Sequence, residues 1–428
     1  MKICKIDINL KILKEKLIPL ISFNTLAQVV PIVFIPFLAN IFSPGIIGQM
    51  TLFNSLSLII SELGSLKYDQ AIIVAKDRRE AFGLFQLSIY LTLAICFVLM
   101  MVAGLIMGFF DLGKEFIFFD SILYSGIALF FSVLLNQINK SLFLYYNRFV
   151  TVRAMSILTV IPILIYNAFG VGLGLVMPTI ETLVLVKLAS FALVFVFLYI
   201  ASRRDGDGVG SFDFSDIKSY AIKYSNYPKF ILPGKMLNMI TLKSVDILLA
   251  SFFGNAVLGQ YAIARRFVMV PETTISKAVS DIFRRQGFDK EGNANPSKVK
   301  SLFYKYLYSL VGMGVLIFSV LYFVIPFAVD ILLDDEWTDV TFYSRILVFG
   351  FFASFVISPL TSVLRTLNKE KAETVFQIFF MLVLLTFSVI TWKFDLEVDS
   401  FIVLLSVHRG ISFMFVGCIL GWVLIKKT

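Results

Sequence analysis

Twelve long apolar stretches follow one another along the 428-residue chain, separated by short polar connections. About 20 consecutive apolar residues form a helix that can cross the hydrocarbon layer of a membrane. The stretches are rich in Leu, Ile and Phe and lack the alternation that a membrane β-barrel requires. The sequence therefore predicts an all-α polytopic membrane protein with 12 transmembrane helices. The predicted spans are 17–42, 45–66, 81–110, 117–139, 154–177, 178–200, 224–254, 256–283, 306–329, 342–364, 374–392 and 398–425.

The composition supports this fold class. Apolar residues make up 58% of the chain and charged residues 16%, against roughly 45–50% and about 25% in soluble domains. A soluble protein of this size cannot bury that much apolar surface, so a cytosolic enzyme and a disordered chain are excluded. Cys4, Cys96 and Cys418 are scattered, and His408 is the single histidine. The sequence therefore predicts neither a disulfide framework nor a metal site.

The motifs of catalysis and nucleotide hydrolysis are absent from the sequence. GxSxG, HExxH, GxGxxG and the Walker phosphate loop do not occur. We therefore expect no enzyme activity, no cofactor and no transport driven by ATP hydrolysis within this chain. The net charge of +9 does not indicate a nucleic-acid partner, because the basic residues of a membrane protein flank its spans.

Basic residues are distributed unequally between the two sides of the predicted spans. The N-terminal leader and the connections on its side carry 28 of the 38 Lys and Arg residues, whereas the opposite connections carry only Lys114 and Lys393. Positive residues collect on the cytoplasmic side of membrane proteins, so both termini are predicted to be cytoplasmic. The leader at 1–16 has apolar residues at helical spacing between its lysines. This pattern favours either a short amphipathic helix on the membrane surface or a simple basic leader.

A short internal repeat divides the chain into halves. Residues 38–49 are LANIFSPGIIGQ and residues 249–260 are LASFFGNAVLGQ, with five identities at an offset of 211. Both copies lie at the outer turn between the first two spans of a six-span half. Halves of the same orientation predict a pseudo-twofold axis along the membrane normal. The predicted organisation is an N-terminal six-helix lobe at 1–200, a cytoplasmic linker at 201–223 and a C-terminal six-helix lobe at 224–428.

Eight basic residues lie inside the predicted spans, where an unpaired charge costs about 2.5–3.5 kcal/mol. Lys229 and Arg345 are close to span ends, so we expect their side chains to reach the membrane interface. Lys187 has Glu181 within two turns, which predicts a structural pair. The other five basic residues are Lys235, Lys243, Arg265, Arg266 and Arg409.

These five basic residues have two possible roles. They either form salt bridges that orient the helices, or they line a cationic, water-filled cavity that binds an anionic solute. Lys243 and Asp246 stand three residues apart on one helical face and are expected to pair. Even with that pair, Lys235, Arg409 and one of the two adjacent arginines lack an evident partner. Of these arginines, Arg266 is favoured for the cavity.

Other polar residues inside the spans are candidates for gating the cavity or for coupling transport to an ion. Asn24 and Gln28 share a face of the first span, which also contains Pro31 and Pro36 and is therefore expected to bend. Packing between helices would explain the same residues equally well. The further candidates are Glu62, Asp69 and Asp246 for coupling and His408 in the middle of the last span.

Two stretches, 42–81 and 246–271, carry a recognisable pattern. In the first, Gly48 opens the second span, and the segment KYDQAI at 67–72 precedes a charged loop. In the second, the matching positions are Asp246, Gly254, Gly259, Tyr261, Ala262 and Pro271. Both stretches resemble the Wzx-type polysaccharide flippases, a family of the MATE-like exporter superfamily. Two positions depart from that family's pattern: Lys67 replaces a commoner Arg, and Ala75 stands where a Pro often follows.

The resemblance implies two six-helix lobes around a central cavity lined by spans one, two, seven and eight. It implies a flippase that moves undecaprenyl-pyrophosphate-linked oligosaccharide repeat units, as in O-antigen and lipopolysaccharide synthesis. Alternating access would carry these units to the periplasmic leaflet of a bacterial inner membrane. A pyrophosphate head requires cations such as those predicted for the cavity. The implied partners are membrane lipids, a polysaccharide polymerase, a chain-length regulator and a coupling proton or sodium ion.

Other functions stay open from the sequence. An ion-coupled multidrug or small-molecule exporter would share the fold, but the first span has no carboxylate and the basic excess would repel cationic drugs. A lipid II flippase of this superfamily usually has two further spans. A membrane glycan polymerase or ligase would resemble proteins with large outer loops, and the predicted outer connections here are short.

The charge asymmetry generates a test of the predicted topology. Reporter fusions after Lys114 or Asp335 should give a periplasmic signal, and fusions after Arg79, Arg204 or Lys290 a cytoplasmic one, because the positive residues stay inside. Paired alkaline phosphatase and fluorescent-protein fusions measure this. A periplasmic signal after Arg204 would contradict the division into two halves of like orientation.

Overall fold

The computed structural model describes residues 27–110, 118–119, 121–149, 152–204, 214–276, 279–280, 283, 296–367 and 369–426, and these are helical almost throughout. The α-helices are α1 (Ile35–Ala39), α2 (Pro44–Gly64), α3 (Tyr68–Ala71), α4 (Arg78–Phe110), α5 (Ile122–Phe149), α6 (Val152–Gly174), α7 (Ile180–Arg204), α8 (Phe214–Lys223), α9 (Leu232–Pro271), α10 (Pro296–Leu332), α11 (Asp339–Ile357), α12 (Ser362–Thr366), α13 (Glu370–Phe394) and α14 (Val398–Lys426). Short 3₁₀ turns occupy Ile72–Val74, Asp335–Trp337 and Ser358–Thr361, and π turns occupy Tyr227–Ile231 and Glu272–Ser276.

Nine stretches of the described residues are long and apolar enough to cross a membrane. The longest, Tyr227–Ser276, covers most of the seventh and eighth predicted spans, and Val160–Gly174 is a shorter apolar helix within the fifth. Residues 17–26 of the first predicted span, and all of the predicted basic leader, lie outside the described residues. The prediction of an all-helical membrane protein is confirmed. The predicted cytoplasmic position of both termini stays a prediction.

Gly254 divides α9 into two helical segments. Its backbone has φ 85° and ψ 174°, which is a region that only glycine adopts readily. The residues on either side keep helical geometry, so one continuous run of helix contains a sharp turn. The predicted spans at 224–254 and 256–283 therefore meet at a sharp turn, and the glycine at position 254 permits its backbone geometry.

The two copies of the internal repeat contact each other reciprocally. A Cβ atom added to Gly48 would lie 1.7 Å from the carbonyl oxygen of Asn255, and one added to Gly259 would lie 1.9 Å from that of Pro44. The offset of 211 relates Pro44 to Asn255 and Gly48 to Gly259, so each contact is the copy of the other. Reciprocal contacts of this kind are what a twofold relation produces. The repeat therefore reflects a pseudo-symmetric packing of backbone against backbone.

Contacts group the chain into two compact units. The first contains residues 1–42 and 52–243, and the second contains 43–51 and 244–428. The reciprocal glycine contact lies within the second unit. The predicted lobe boundaries at 200 and 224 stay a prediction.

Within the first unit, the helix α8 packs on the segment that resembles the flippase signature. The hydroxyl of Tyr68 donates to the carbonyl oxygen of Ala221 at 2.9 Å, and Lys223 forms an ion pair with Glu80. The hydrogen bond with this carboxylate raises the pKa of Lys223, so the ammonium stays charged. The region predicted as a linker at 201–223 thus contains a docked helix.

The glycine crossing generates a stability prediction. We expect Gly48→Ala to destabilise the protein by about 1–3 kcal/mol, because the backbones must separate to admit the methyl group. The measurement is the thermal unfolding of purified protein in detergent. Gly45→Ala is the matched control, because the nearest atom to its added Cβ is 3.9 Å away. Equal unfolding temperatures for the two variants would contradict the reciprocal packing.

Candidate functional site

Asp246 and Arg265 form an ion pair between the two segments of α9. Arg265 Nη1 donates to Asp246 Oδ1 at 2.6 Å, and Nη2 lies 3.5 Å from Oδ2. Asp246 is completely buried, and the guanidinium carbon of Arg265 lies 5.2 Å from the ring centroid of Tyr261. Two sequence-predicted residues are thus brought together. One of the two adjacent arginines has a carboxylate partner, and the predicted pairing of Lys243 with Asp246 stays a prediction.

Arg409 also has a carboxylate partner in the second unit. Its Nη2 donates to Glu272 Oε2 at 2.6 Å, and its Nε donates to Ser354 Oγ at 2.9 Å. Its guanidinium carbon lies 3.9 Å from the ring centroid of Phe351. The expectation that Arg409 lacks a partner is therefore wrong. Sequence separation hid the pair, because Glu272 and Arg409 meet only through the packing of their helices.

His408, the neighbour of Arg409 in sequence, lies in a packed environment. Its Nε2 lies 2.9 Å from the carbonyl oxygen of Phe380, and its ring is packed edge-on against the Phe380 ring. The side chain is buried. These contacts support a structural role in joining α13 and α14, and the predicted role in gating or coupling stays a prediction.

In the first unit, Glu62 and Asp69 belong to a cluster of four charges. Lys140 Nζ lies 3.2 Å from Glu62 Oε2 and 3.1 Å from Asp69 Oδ2, and Lys67 pairs with Glu62. Ser65 Oγ donates to Asp69 Oδ1 at 2.8 Å. Two acids and two bases balance, so the cluster has no net charge when all four are ionised. The coupling candidates of the first unit are therefore neutralised by lysines.

Lys67 holds an unusual position in this cluster. It is completely buried and has φ 67°, in the left-handed region that non-glycine residues seldom adopt. Burial and repulsion by Lys140 lower the pKa of Lys67. Its ion pair with Glu62 compensates part of the cost of burying the charge.

The remaining candidates have different degrees of exposure. Lys235 is exposed, whereas Lys243, Arg266 and Gln28 are half-buried. The Oε1 atom of Gln28 is buried without a hydrogen-bonding partner among the described residues. Asn24 lies outside the described residues. The predicted roles of these residues in substrate binding or gating stay predictions.

Lys187 is a residue whose importance the sequence reasoning missed. Its Nζ lies 2.6 Å from Asn54 Oδ1, and Glu181 is exposed at the start of the same helix. The expectation that Glu181 neutralises Lys187 is wrong, because the lysine points toward α2 and its amide partner there. A lone lysine in an otherwise apolar span was the available signal.

In the part of the chain that the structure describes, no group of three or more His, Cys, Asp or Glu side chains is arranged to hold a metal ion.

Comparison with known families identifies the chain. The sequence profile described as polysaccharide biosynthesis protein matches residues 37–342. The chain belongs to this polysaccharide biosynthesis protein family. No curated protein matches the chain.

The fold of this polysaccharide biosynthesis protein is found among solved transporters of the MOP superfamily. An inward-facing MATE multidrug resistance transporter has a TM-score of 0.65 at 11% identity, over 95% of this chain and 96% of that one. A MOP superfamily transporter from Pyrococcus furiosus has a TM-score of 0.59 at 11% identity, over 100% of both chains. The Vibrio cholerae MATE transporter VcmN, as a mutant, has a TM-score of 0.56 at 15% identity, over 96% of this chain and 94% of that one.

Family and fold together describe a multi-pass membrane protein of a polysaccharide biosynthesis family, with a fold that is also found in MOP superfamily transporters. The predicted fold class, 12 helices of the MATE type, is confirmed by these structural neighbours. At such low identity they establish the fold alone, so the solute and the residues that bind it are inferred separately.

The Asp246–Arg265 pair generates a double-mutant prediction. We expect Asp246→Asn alone and Arg265→Gln alone to destabilise the protein by about 3 kcal/mol each, because either leaves one charge buried without its partner. The double variant should be closer to wild type than the two losses added together, by about 1–3 kcal/mol. Unfolding in detergent measures all four proteins. Strict additivity would show that the two side chains do not interact.

Proposed function

We propose that this transporter is a flippase for undecaprenyl-pyrophosphate-linked oligosaccharide repeat units. The observation that carries the proposal is the occurrence of a MATE-type transporter fold in a family of polysaccharide biosynthesis. Polysaccharides assembled outside the membrane from precursors made inside require such a step. The substrate would cross from the cytoplasmic to the periplasmic leaflet of a bacterial inner membrane, where a polymerase and a chain-length regulator would act on it.

The charges inside the membrane support an anionic solute. Lys235, Lys243 and Arg266 provide cations that are exposed or half-buried in α9. A pyrophosphate group carries several negative charges and binds most strongly to Lys and Arg through charge-assisted hydrogen bonds. A cationic drug would meet repulsion from the same residues, which makes multidrug export the weaker alternative.

The ion pairs offer a route for coupling to protons. Asp246 holds Arg265, and Glu272 holds Arg409, so each arginine is occupied while its carboxylate is ionised. Protonation of a carboxylate would release its arginine to bind a pyrophosphate oxygen. Asp246 would then act as the coupling residue, and Arg265 and Arg409 would bind substrate in only one stage of the cycle.

Alternating access requires helices that bend, and the described residues contain several suitable points. Gly254 breaks α9, and π turns at Tyr227–Ile231 and Glu272–Ser276 lie at its two ends. Single π turns interrupt regular helical bonding and recur at functional positions. We infer that these turns absorb the change in helix direction during the cycle.

A complementation experiment tests the proposal. We expect the chain to restore surface glycan display in a bacterial strain that lacks its flippase, and Lys235→Ala with Arg266→Ala to reduce display tenfold or more, since one charge-assisted hydrogen bond contributes about 1.5–3 kcal/mol. Display is normalised to folded protein in the membrane. Lys393→Ala, at an exposed helix end, is the control. Drug resistance without glycan display would instead favour a multidrug exporter.

A further inference from the structure

Lys187 is a cation held inside the first unit by uncharged groups. Its Nζ lies 2.6 Å from Asn54 Oδ1, 4.9 Å from the ring centroid of Phe53 and 5.8 Å from that of Phe191. The residue is seven positions into α7, about 10 Å along the helix from its start. Aromatic faces and an amide oxygen stabilise an ammonium group but leave its positive charge uncompensated.

Lys187 and Lys140 are placed differently within the same unit. No carboxylate lies within ion-pair distance of Lys187 among the described residues, whereas Lys140 contacts both Glu62 and Asp69. The described part of the chain therefore supplies no matching anion to Lys187.

A purely structural role does not account for this arrangement. The bond to Asn54 joins α7 to α2, but a neutral glutamine would make the same bond without bringing a charge out of water. An unpaired charge in the membrane costs about 2.5–3.5 kcal/mol. A mobile anion that binds to Lys187 would offset this cost.

We propose that Lys187 and the side-chain amide of Asn54 form a binding site for a phosphate or pyrophosphate group. The ammonium group of Lys187 would attract the anion, and Asn54 Nδ2 is a further donor on the group that already positions Lys187. This inference rests on the proposed flippase function, because the ligand there is the pyrophosphate head of the lipid-linked substrate. It assigns the first unit a binding site of its own, supplied by the two helices α2 and α7.

Binding to the purified full-length chain in lipid nanodiscs tests this site. The two probes are inorganic pyrophosphate and farnesyl pyrophosphate, which distinguish a free anion from a lipid headgroup. Wild type should bind the prenyl probe more tightly. Lys187→Gln should weaken binding of both probes about tenfold or more, because the glutamine retains a bond to Asn54 but loses the charge. Lys187→Arg should bind within a few-fold of wild type, and Lys229→Gln, at an exposed lysine, should equal it.

The same variants are compared for glycan display in the flippase-deficient strain. Reduced display for Lys187→Gln at wild-type amounts of folded protein, with rescue by Lys187→Arg, supports the site. Wild-type binding and display for Lys187→Gln would overturn it and leave the flippase proposal standing. If wild type fails to restore display but binds pyrophosphate through Lys187, the anion site stands and the flippase function does not. Loss of folded protein in Lys187→Gln, with no pyrophosphate binding by wild type, would also overturn the site.

Discussion

A charge inside a lipid bilayer costs several kcal/mol unless it has a partner or reaches water, and this constraint organises the polar interior of the protein. Four carboxylates within the spans or close to their ends form ion pairs. Glu62 and Asp69 pair with lysines, and Asp246 and Glu272 pair with arginines. Each pair joins segments that are separate in sequence or divided by a turn. The same contacts that orient the helices therefore also set which cations remain for an anionic solute.

The second constraint is the close approach of backbones at the repeat. Gly48 and Gly259 have no side chain, so each lies against a carbonyl oxygen of the other copy, from Asn255 and Pro44. Small residues permit this approach between membrane helices, where packing rather than hydrophobic burial drives association. Because the two contacts are reciprocal, a single substitution disturbs a packing on which both copies depend. Gly254 turns the chain within the second copy.

Charged side chains that have a counter-charge and those that lack one lie in different parts of the structure. The cluster around Lys140 is balanced, and the arginine pairs are balanced while their carboxylates are ionised. Lys187 is not balanced by any described carboxylate. The proposed transport of pyrophosphate lipids would use both features: fixed pairs that hold the helices, and a cation, Lys187, that the substrate itself neutralises.

The sequence by itself determined the fold class, the break at Gly254 and the existence of the repeat, because apolar length, a missing side chain and local identity are properties of neighbouring residues. It also showed which spans contain charges. Only the tertiary structure decided the partners of those charges: Glu272 lies 137 positions from Arg409, and Asn54 lies 133 from Lys187. Glu181 was nearer in sequence to Lys187, yet helix rotation turns the lysine toward Asn54. Partner choice depends on how helices pack, and no local pattern encodes that packing.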